Sequence, residues 1–574
     1  ASRIAKDLAE KYPATNKARD FGLLPLRREQ YEFTAPLFVF VQGAALFVLC
    51  LSATNVFTLL AARTIERRHE FAVRGALGAS RLQLFGLTIA EALWLTALAA
   101  GLAVLPAVWM IDFVRASLPD GIARWFAGWQ AIHLDLPTMA AAVGLSIAVG
   151  IVLGCVIGMR ATRAGNLTIL QHGTRGSASL TSSWRRAVVA VEACLAMILL
   201  VVATVAWQGL HSMNAAFEAL RPGRLLAVGL SLPERRYPAD VRVVEFQDRL
   251  IAALLQVPGV ESAALIRNEP ASNVPSPMTT FLVNRQRAVT PSEAPRADVQ
   301  VVTPAIFRTL NVALLSGRAL SVSDSATAPR VAVVCHTMAR RFWPAGDPIG
   351  STLRLGLDVA APTVRIVGTV DDMRLNWYDP EPRAVIYLPH AQLASRQMQV
   401  VIRTTVDPVR LASQSREVVR RLDPHLAIGT IQPYTSVIQE SLSPVRIVSV
   451  LLAACGVVAM LLAAGGVYAS LAHWVAARQP ELGVRLALGA DPAAVTQLVI
   501  TEAMRTAGMG VAAAIPLAVI GTRASGITAL GIPDVGLDSL IVLSIITLAM
   551  AVAASAAPAR RAGQADPMVL LHAE

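Results

Sequence analysis

The chain is short of charge, aromatics and lysine. Only 16% of its 574 residues are charged and 5% are aromatic, while 54% are hydrophobic and mean hydropathy is +0.53. That balance excludes an ordinary soluble enzyme and points to a membrane protein. The three lysines, Lys6, Lys11 and Lys17, all lie near the start. No Gly-x-x-x-x-Gly-Lys-Ser/Thr run occurs, so no P-loop is encoded. His69-Glu70 opens like a zinc-protease motif, but position 73 is Val, and no Gly-x-Ser-x-Gly elbow is present. The expectation is no enzymatic activity, no metal and no cofactor. The five cysteines, Cys50, Cys155, Cys194, Cys335 and Cys455, show neither CxxC nor ligand spacing. They read as small buried hydrophobes.

The net charge of +12 comes from arginine, and its placement excludes a nucleic-acid reading. Arginines cluster between apolar stretches, at Arg63, Arg67, Arg68, Arg74 and Arg81, again at Arg160, Arg163, Arg175, Arg185 and Arg186, and at Arg560 and Arg561. This is the positive-inside pattern of membrane loops, with no basic stripe on a recognisable reading module. Seven apolar runs reach the ~20 residues a bilayer core requires. They span about 36–60, 82–111, 137–159, 187–208, 446–471, 493–520 and 537–558. The loop 112–136 carries Asp112, Asp120, Asp135, Trp125 and Trp129 instead, the composition of an outer interface. The C-terminus is therefore expected in the cytoplasm.

One charged stretch occurs twice. Glu70-Phe-Ala-Val-Arg74-Gly-Ala-Leu-Gly78-Ala-Ser80 returns as Glu481-Leu-Gly-Val-Arg485-Leu-Ala-Leu-Gly489-Ala-Asp491, with 481 − 70 = 411 and 489 − 78 = 411. The same offset carries Arg67 to Arg478 and Glu91 to Glu502. Each copy reads as helix, tight turn, helix. Gly78 and Gly489 suit a left-handed C-cap. Ser80 with Gln83 forms a capping box. Asp491-Pro492 supplies an acidic N-cap with proline at the first helical position. Glu70/Arg74 and Glu481/Arg485 have two readings, a docking surface for a partner or an internal i,i+4 pair. Glu91 and Glu502 lie about 11 residues into their helices, ~16 Å from the cap. Glu192 sits inside the fourth span near Arg185 and Arg186. Acids within spans are functional candidates. An interfacial or interhelical ion pair is the plainer reading of all three.

Between about 209 and 445 the pattern changes to strands and helices. Leu225–Leu232, Val260–Ile266, Val331–Cys335, Val364–Val370, Ala384–Leu388 and Gln399–Arg403 read as strands. Val243, Phe246, Leu250 and Leu254 form one helix face, and Asp407-Pro408 opens a helix through Leu411, Val418 and Leu422. A βαβ unit at each end, around a strand-rich insert, predicts a split βαβ sheet. Glu269–Pro295, rich in Pro and Ser, reads as a loop. Gly465-Gly466, Gly508 and Gly510 suit close helix packing.

Several of these stretches resemble the MacB/FtsX superfamily of ABC transporter permeases. Val302-Thr-Pro-Ala-Ile-Phe307, Leu315-Ser-Gly-Arg318, Asp324, Val331-Ala-Val-Val334, Ala339-Arg-Arg-Phe342 and Asp347-Pro348-Ile-Gly350 are similar to the MacB-type periplasmic core domain. The two Arg-x-Ala-Leu-Gly-Ala turns resemble the family's coupling elements, and the duplication resembles that of acidobacterial permeases. The resemblance implies an inner-membrane mechanotransmission or export permease whose periplasmic domain moves when a separate cytoplasmic ATPase closes. ATP would be bound by that partner. Membrane lipid surrounds the spans, and a periplasmic adaptor or outer partner is open.

The implied fold is a polytopic α-helical membrane protein with an α+β periplasmic domain. The expected units are a core-domain remnant at 1–33, an FtsX-like three-span unit at 34–160, a linker at 161–186 and a span at 187–208. A MacB-like core domain at 209–445 and a second three-span unit at 446–574 complete the series. On the repeat logic the chain lacks an upstream span and core domain, so a full protein would have eight spans. The copies also differ: Arg63, Arg68 and His69 become Trp474, Gln479 and Pro480. Two other readings stay open, a carrier using the intramembrane glutamates without an ATPase, and a non-transporting regulator of a periplasmic partner.

Overall fold

A computed structural model describes residues 2–11, 25–67, 70–71, 73–74, 77, 79–117, 132–163, 178–271, 278–284, 294–344, 346–357, 361–376, 382–524 and 534–564. Gly78, Arg68, His69, the outer-loop residues Asp120, Trp125 and Trp129, and linker residues 164–177 lie outside that set. The chain divides into two compact units. One is built mainly on Gly209–Pro444, the other on Gln30–Gln208, Val445–Thr528 and Ile532–Glu574.

The second unit is helical. After an N-terminal helix α1 (Ser2–Lys11), its helices are α2 (Leu26–Glu66), α3 (Arg81–Ser117), α4 (Leu136–Arg163) and α5 (Ala178–Glu218). Among the described residues, seven helices are long and apolar enough to cross a membrane, and each coincides with an expected span. α5 is the most enclosed of them, with 61% of its most apolar window buried, whereas the corresponding window of α3 has none. An apolar run buried all round belongs inside a bundle. Glycines set the closest approaches. Gly150, Gly154 and Gly158 recur every fourth residue along α4, and a Cβ on Gly154 would lie 2.7 Å from the Ile89 backbone of α3. Small residues at that spacing let two helix backbones approach.

The first unit begins with β1 (Leu225–Ser231), α6 (Asp240–Leu255) and β2 (Val260–Ile266). It ends with β10 (Gln397–Thr404), α9 (Pro408–Leu422) and β11 (Ile428–Pro433). These four strands lie in the order β11-β1-β10-β2, each antiparallel to its neighbour. β1 and β2 are thus parallel with β10 between them, and β10 and β11 are parallel with β1 between them. This is the split βαβ sheet that the sequence predicts. Alternate residues Leu226, Val228 and Leu230 of β1 and Met398, Val400 and Ile402 of β10 pack with Val243, Phe246, Leu250 and Leu254 of α6. From α9, Leu411 and Val419 are the buried pair, while Val418 and Leu422 pack at the edge. Asp407 caps α9, its side chain accepting from the Val409 amide at 3.0 Å.

The insert holds β3 (Met278–Val283), β4 (Arg296–Val302), α7 (Ile306–Thr309), β5 (Leu314–Gly317), β6 (Val331–Cys335), α8 (His336–Phe342), β7 (Thr352–Leu355), β8 (Thr363–Val370) and β9 (Val385–Pro389). Its strands run β4-β3-β7-β8-β6-β9, and β9 pairs back in parallel with β4. Six strands therefore close a ring, with β5 attached to β8. Closure leaves those six strands without a free edge. The loop expected over Glu269–Pro295 is corrected: Met278–Val283 is a strand, paired on one side with β4 and on the other with β7.

Candidate functional site

The later helices carry the second copy of the charged turn: α10 (Tyr434–Ala477), α11 (Gln479–Ala487), α12 (Pro492–Ala524) and α13 (Leu537–Gly563). The helix ends flanking the two turns keep the repeat offset, since 477 − 66 = 411 and 492 − 81 = 411. So do the hydrogen bonds. The Leu77 amide donates to Val73 O and the Ala79 amide to Arg74 O, both at 3.0 Å. The Leu488 amide donates to Val484 O and the Ala490 amide to Arg485 O, again both at 3.0 Å. A bond from six residues back to one is the Schellman closure, and Gly489 sits within it at φ +92. The Ser80 amide donates to Gln83 Oε1 at 2.8 Å and the Gln83 amide to Ser80 Oγ at 3.3 Å, the reciprocal box expected there. Asp491 accepts from the Ala493 amide at 2.9 Å.

This shared scaffold presents an apolar pair that sequence reasoning missed. Leu77 is 82% exposed and its counterpart Leu488 is 83% exposed, with Val73 and Val484 half-exposed beside them. Their identity and spacing were readable in both copies, but their exposure depends on where the turn faces.

The charges differ more than the backbone. Glu70 and Glu481 hold Arg74 and Arg485 at 2.6 Å and 2.7 Å. In the first copy Arg67 also forks onto Glu70, at 2.6 Å and 3.1 Å, and pairs with Glu91 on α3. Arg67's hydrogen bonds hold the Glu70 carboxyl below the usual carboxylate range. In the second copy Arg478 lies 3.7 Å from Glu481 and its guanidinium stacks 4.8 Å over the ring of Trp474. Trp474 stands where the first copy has Arg63, because 63 + 411 = 474. It is buried among Leu482, Val495 and Val499. Glu502, the counterpart of Glu91, instead lines a small crevice with Arg185, Arg186 and Thr506. The first copy thus ties its turn to α3 through the Arg67–Glu91 ion pair, whereas the second packs Trp474 against residues of α11 and α12.

Glu192 is set apart. It is fully buried, and neither carboxylate oxygen has a hydrogen-bond partner. The interfacial or interhelical pair expected for it is not formed among the described residues. Of the glycines singled out for packing, Gly466 and Gly510 make close approaches, while Gly465 and Gly508 face open space. Among the described residues, no group of three or more His, Cys, Asp or Glu side chains could hold a metal.

A further buried acid lies in the first unit. Glu269 is 7% exposed, one oxygen lacks a partner, and burial pushes its carboxyl up from 4.5 to about 8. The unfolded chain releases this proton first, so stability is full below about pH 4.5 and falls as pH rises through about 8. Glu269→Gln is expected to flatten that fall. At about pH 8 the variant should be more stable than wild type by a few kcal/mol, and near pH 4 by almost nothing. Thermal unfolding at the two pH values checks this; equal shifts at both would contradict it.

The motif residues of the core domain are structural. Arg318 forks onto Asp324 with two 2.8 Å bonds, and Asp324 also accepts from the Ser321 amide at 2.8 Å. The Arg318 guanidinium holds the Asp324 carboxyl below its usual range. Thr303 Oγ1 accepts from the buried Leu265 amide at 2.8 Å, and Gly350 occupies φ +84 after Asp347-Pro348.

The seven membrane-length helices among the described residues, with one mixed α/β domain, define a multi-pass membrane protein carrying a periplasmic or extracellular domain. The MacB-like periplasmic core domain family matches residues 138–420. The FtsX-like permease C-terminal family matches twice, at 43–164 and 453–567. The chain is therefore a MacB/FtsX-like ABC-type permease with a MacB-like periplasmic core domain. Permeases of this kind lack an ATPase domain and work with a partner ATPase subunit.

Among solved structures, the periplasmic region of MacB from Actinobacillus actinomycetemcomitans is 14% identical over 38% of this chain and 91% of that one, at a TM-score of 0.27. A permease-protein domain from Porphyromonas gingivalis is 15% identical over 37% and 91%, at 0.26. The extracellular domain of the noncanonic ABC-type transporter YknZ from Gram-positive bacteria is 14% identical over 36% and 99%, at 0.25. A search of curated proteins finds no match.

Proposed function

We propose that this chain is the inner-membrane permease of an ABC-type export or mechanotransmission system, with its C-terminus in the cytoplasm. Two turns, one in each FtsX-like three-span unit, couple a separate cytoplasmic ATPase to movement of the periplasmic domain at 209–445. The docking residues are Arg67, Glu70, Arg74 and Gly78 in the first copy and Arg478, Glu481, Arg485 and Gly489 in the second. The carrying observation is the same exposed Leu–Val pair, Leu77/Val73 and Leu488/Val484, held on the same hydrogen-bond ladder beside the same Glu–Arg pair. Exposed leucines rimmed by charge suit a protein groove better than a lipid or water boundary. One chain holding both turns presents two non-identical sites to the ATPase.

Co-purification from membranes tests the reading. The Arg74→Glu plus Arg485→Glu double variant is expected to lose the ATPase subunit while keeping the wild-type melting profile. A variant that retains the ATPase in full, under crosslinking and without it, removes the turns from the interface.

A further inference from the structure

Three helices of the membrane unit meet at the carboxyl of Glu192. Glu192 is on α5, and both its oxygens are buried and unpartnered. Facing it across one notch are Asn55 of α2 and Gly466 of α10. A Cβ on Gly466 would lie 2.0 Å from Glu192 Oε2 and 2.6 Å from Asn55 Oδ1, so both oxygens line the same gap. The offset relates these two positions as well, since 55 + 411 = 466. One copy supplies an amide and the other leaves out a side chain.

The orientation of the amide is settled by its other end. Asn55 Nδ2 donates to the Leu462 carbonyl of α10 at 2.8 Å, which turns Oδ1 toward the notch. Asn55 Oδ1 is itself buried without a donor. Two acceptors thus share one gap, and no protein donor among the described residues lies between them. Buried acceptors are satisfied in almost all proteins, and an unpaired buried carboxylate is costly in a membrane. No cationic side chain resolves this. Along their own helices Arg63 on α2, Arg185 and Arg186 on α5 and His473 on α10 stand roughly two helical turns from the notch residues, and Glu502 of α12 lines a crevice with Arg185 and Arg186. Among the described residues none reaches the Glu192 oxygens. One hydrogen atom satisfies both groups.

We propose that Glu192 and Asn55 form a proton-binding site, in which the neutral Glu192 carboxyl donates to Asn55 Oδ1 and joins α5, α2 and α10 through the Gly466 notch. The site is independent of ATPase docking, and its ligand is a proton rather than a metal cation.

Infrared difference spectroscopy of the full chain in lipid nanodiscs tests it at neutral pH. Wild type minus Glu192→Gln is expected to show loss of one carboxylic-acid carbonyl band, with Glu269 cancelling between the samples. Asn55→Ala is expected to keep that band and shift it to the frequency of a free acid. Glu192→Gln, which keeps a donor at the same place, should melt as wild type does. Loss of ionised-carboxylate bands instead overturns the proposal. So does a wild-type melting temperature that rises with sodium or potassium at constant ionic strength and becomes insensitive in Glu192→Gln, the signature of a bound cation. Should Glu192→Gln fail to fold, an unmoved band in Asn55→Ala overturns it alone.

Discussion

Gly368→Val is expected to unfold the β5 side of the core domain, at a cost of about 3 kcal/mol or more. A Cβ at Gly368 would lie 2.2 Å from the carbonyl oxygen of Arg318 and 3.2 Å from its amide nitrogen. Both are backbone atoms, so no side chain can swing aside. Gly317, its partner across the β5–β8 pairing, is equally constrained. It sits at φ +73, and its Cβ would meet Val367 O at 2.3 Å. That φ already strains any L side chain. Between the two glycines the Arg318 amide donates to Val367 O at 2.9 Å, which aims the guanidinium at Asp324. Separating the strands therefore also breaks the Arg318–Asp324 fork. Gly346→Ala is the control, because nothing lies within 4 Å of its Cβ position. Its cost should stay within about 0.5 kcal/mol. Thermal unfolding and protease resistance of the full chain measure both. A Gly368→Val variant that melts with the control would show that β5 can part from β8 without loss.

That pair of glycines shows where sequence reasoning ends. Leu315-Ser-Gly-Arg318 and Asp324 were visible as a family pattern, yet the reason for the glycine is a strand 51 residues further on (368 − 317 = 51). The seven spans were readable because a bilayer demands long uninterrupted apolar runs, and nothing local competes with that signal. The split βαβ sheet was readable from β-branched runs flanking amphipathic helices. The ring in the insert was not. β5 and β7 have four residues each, β3 lies in a Pro- and Ser-rich stretch, and β4 carries buried Asp298 and Gln300. Its closure also rests on β4 pairing with the distant β9. In the candidate site the paired charges Glu70/Arg74 and Glu481/Arg485 followed from helical spacing alone. The different fates of Glu91, Glu192 and Glu502 did not, because each depends on which helix packs opposite. The offset placing Asn55 on Gly466 was the one available clue to the notch.

The two turns are expected to fail by different routes. In the second copy Trp474→Ala should be the damaging change, costing about 3 kcal/mol or more through the void left among Leu482, Val495 and Val499. Arg478→Ala should cost about 1 kcal/mol or less, since its 3.7 Å contact with Glu481 is half exposed. In the first copy Arg67 does the joining. Its removal leaves Glu70 with Arg74 alone, frees Glu91 and uncouples the turn from α3. Roughly a third of each of these side chains is exposed, so water and salt screen the tie, and a loss of about 1 kcal/mol is expected. Hydrogen exchange of the full chain separates the two mechanisms. Raising salt to about 0.5 M should speed exchange across residues 73–80 and leave 484–491 unchanged, because screening reaches the ionic tie but not the buried indole. Trp474→Ala should speed exchange across 484–491 at any salt concentration. Equal salt sensitivity of the two turns would mean that the Arg67–Glu91 tie and the Trp474 packing hold their turns alike. Unequal sensitivity would give one chain two couplings of different stiffness, so that the same push from an ATPase moves α3 and α12 by different amounts.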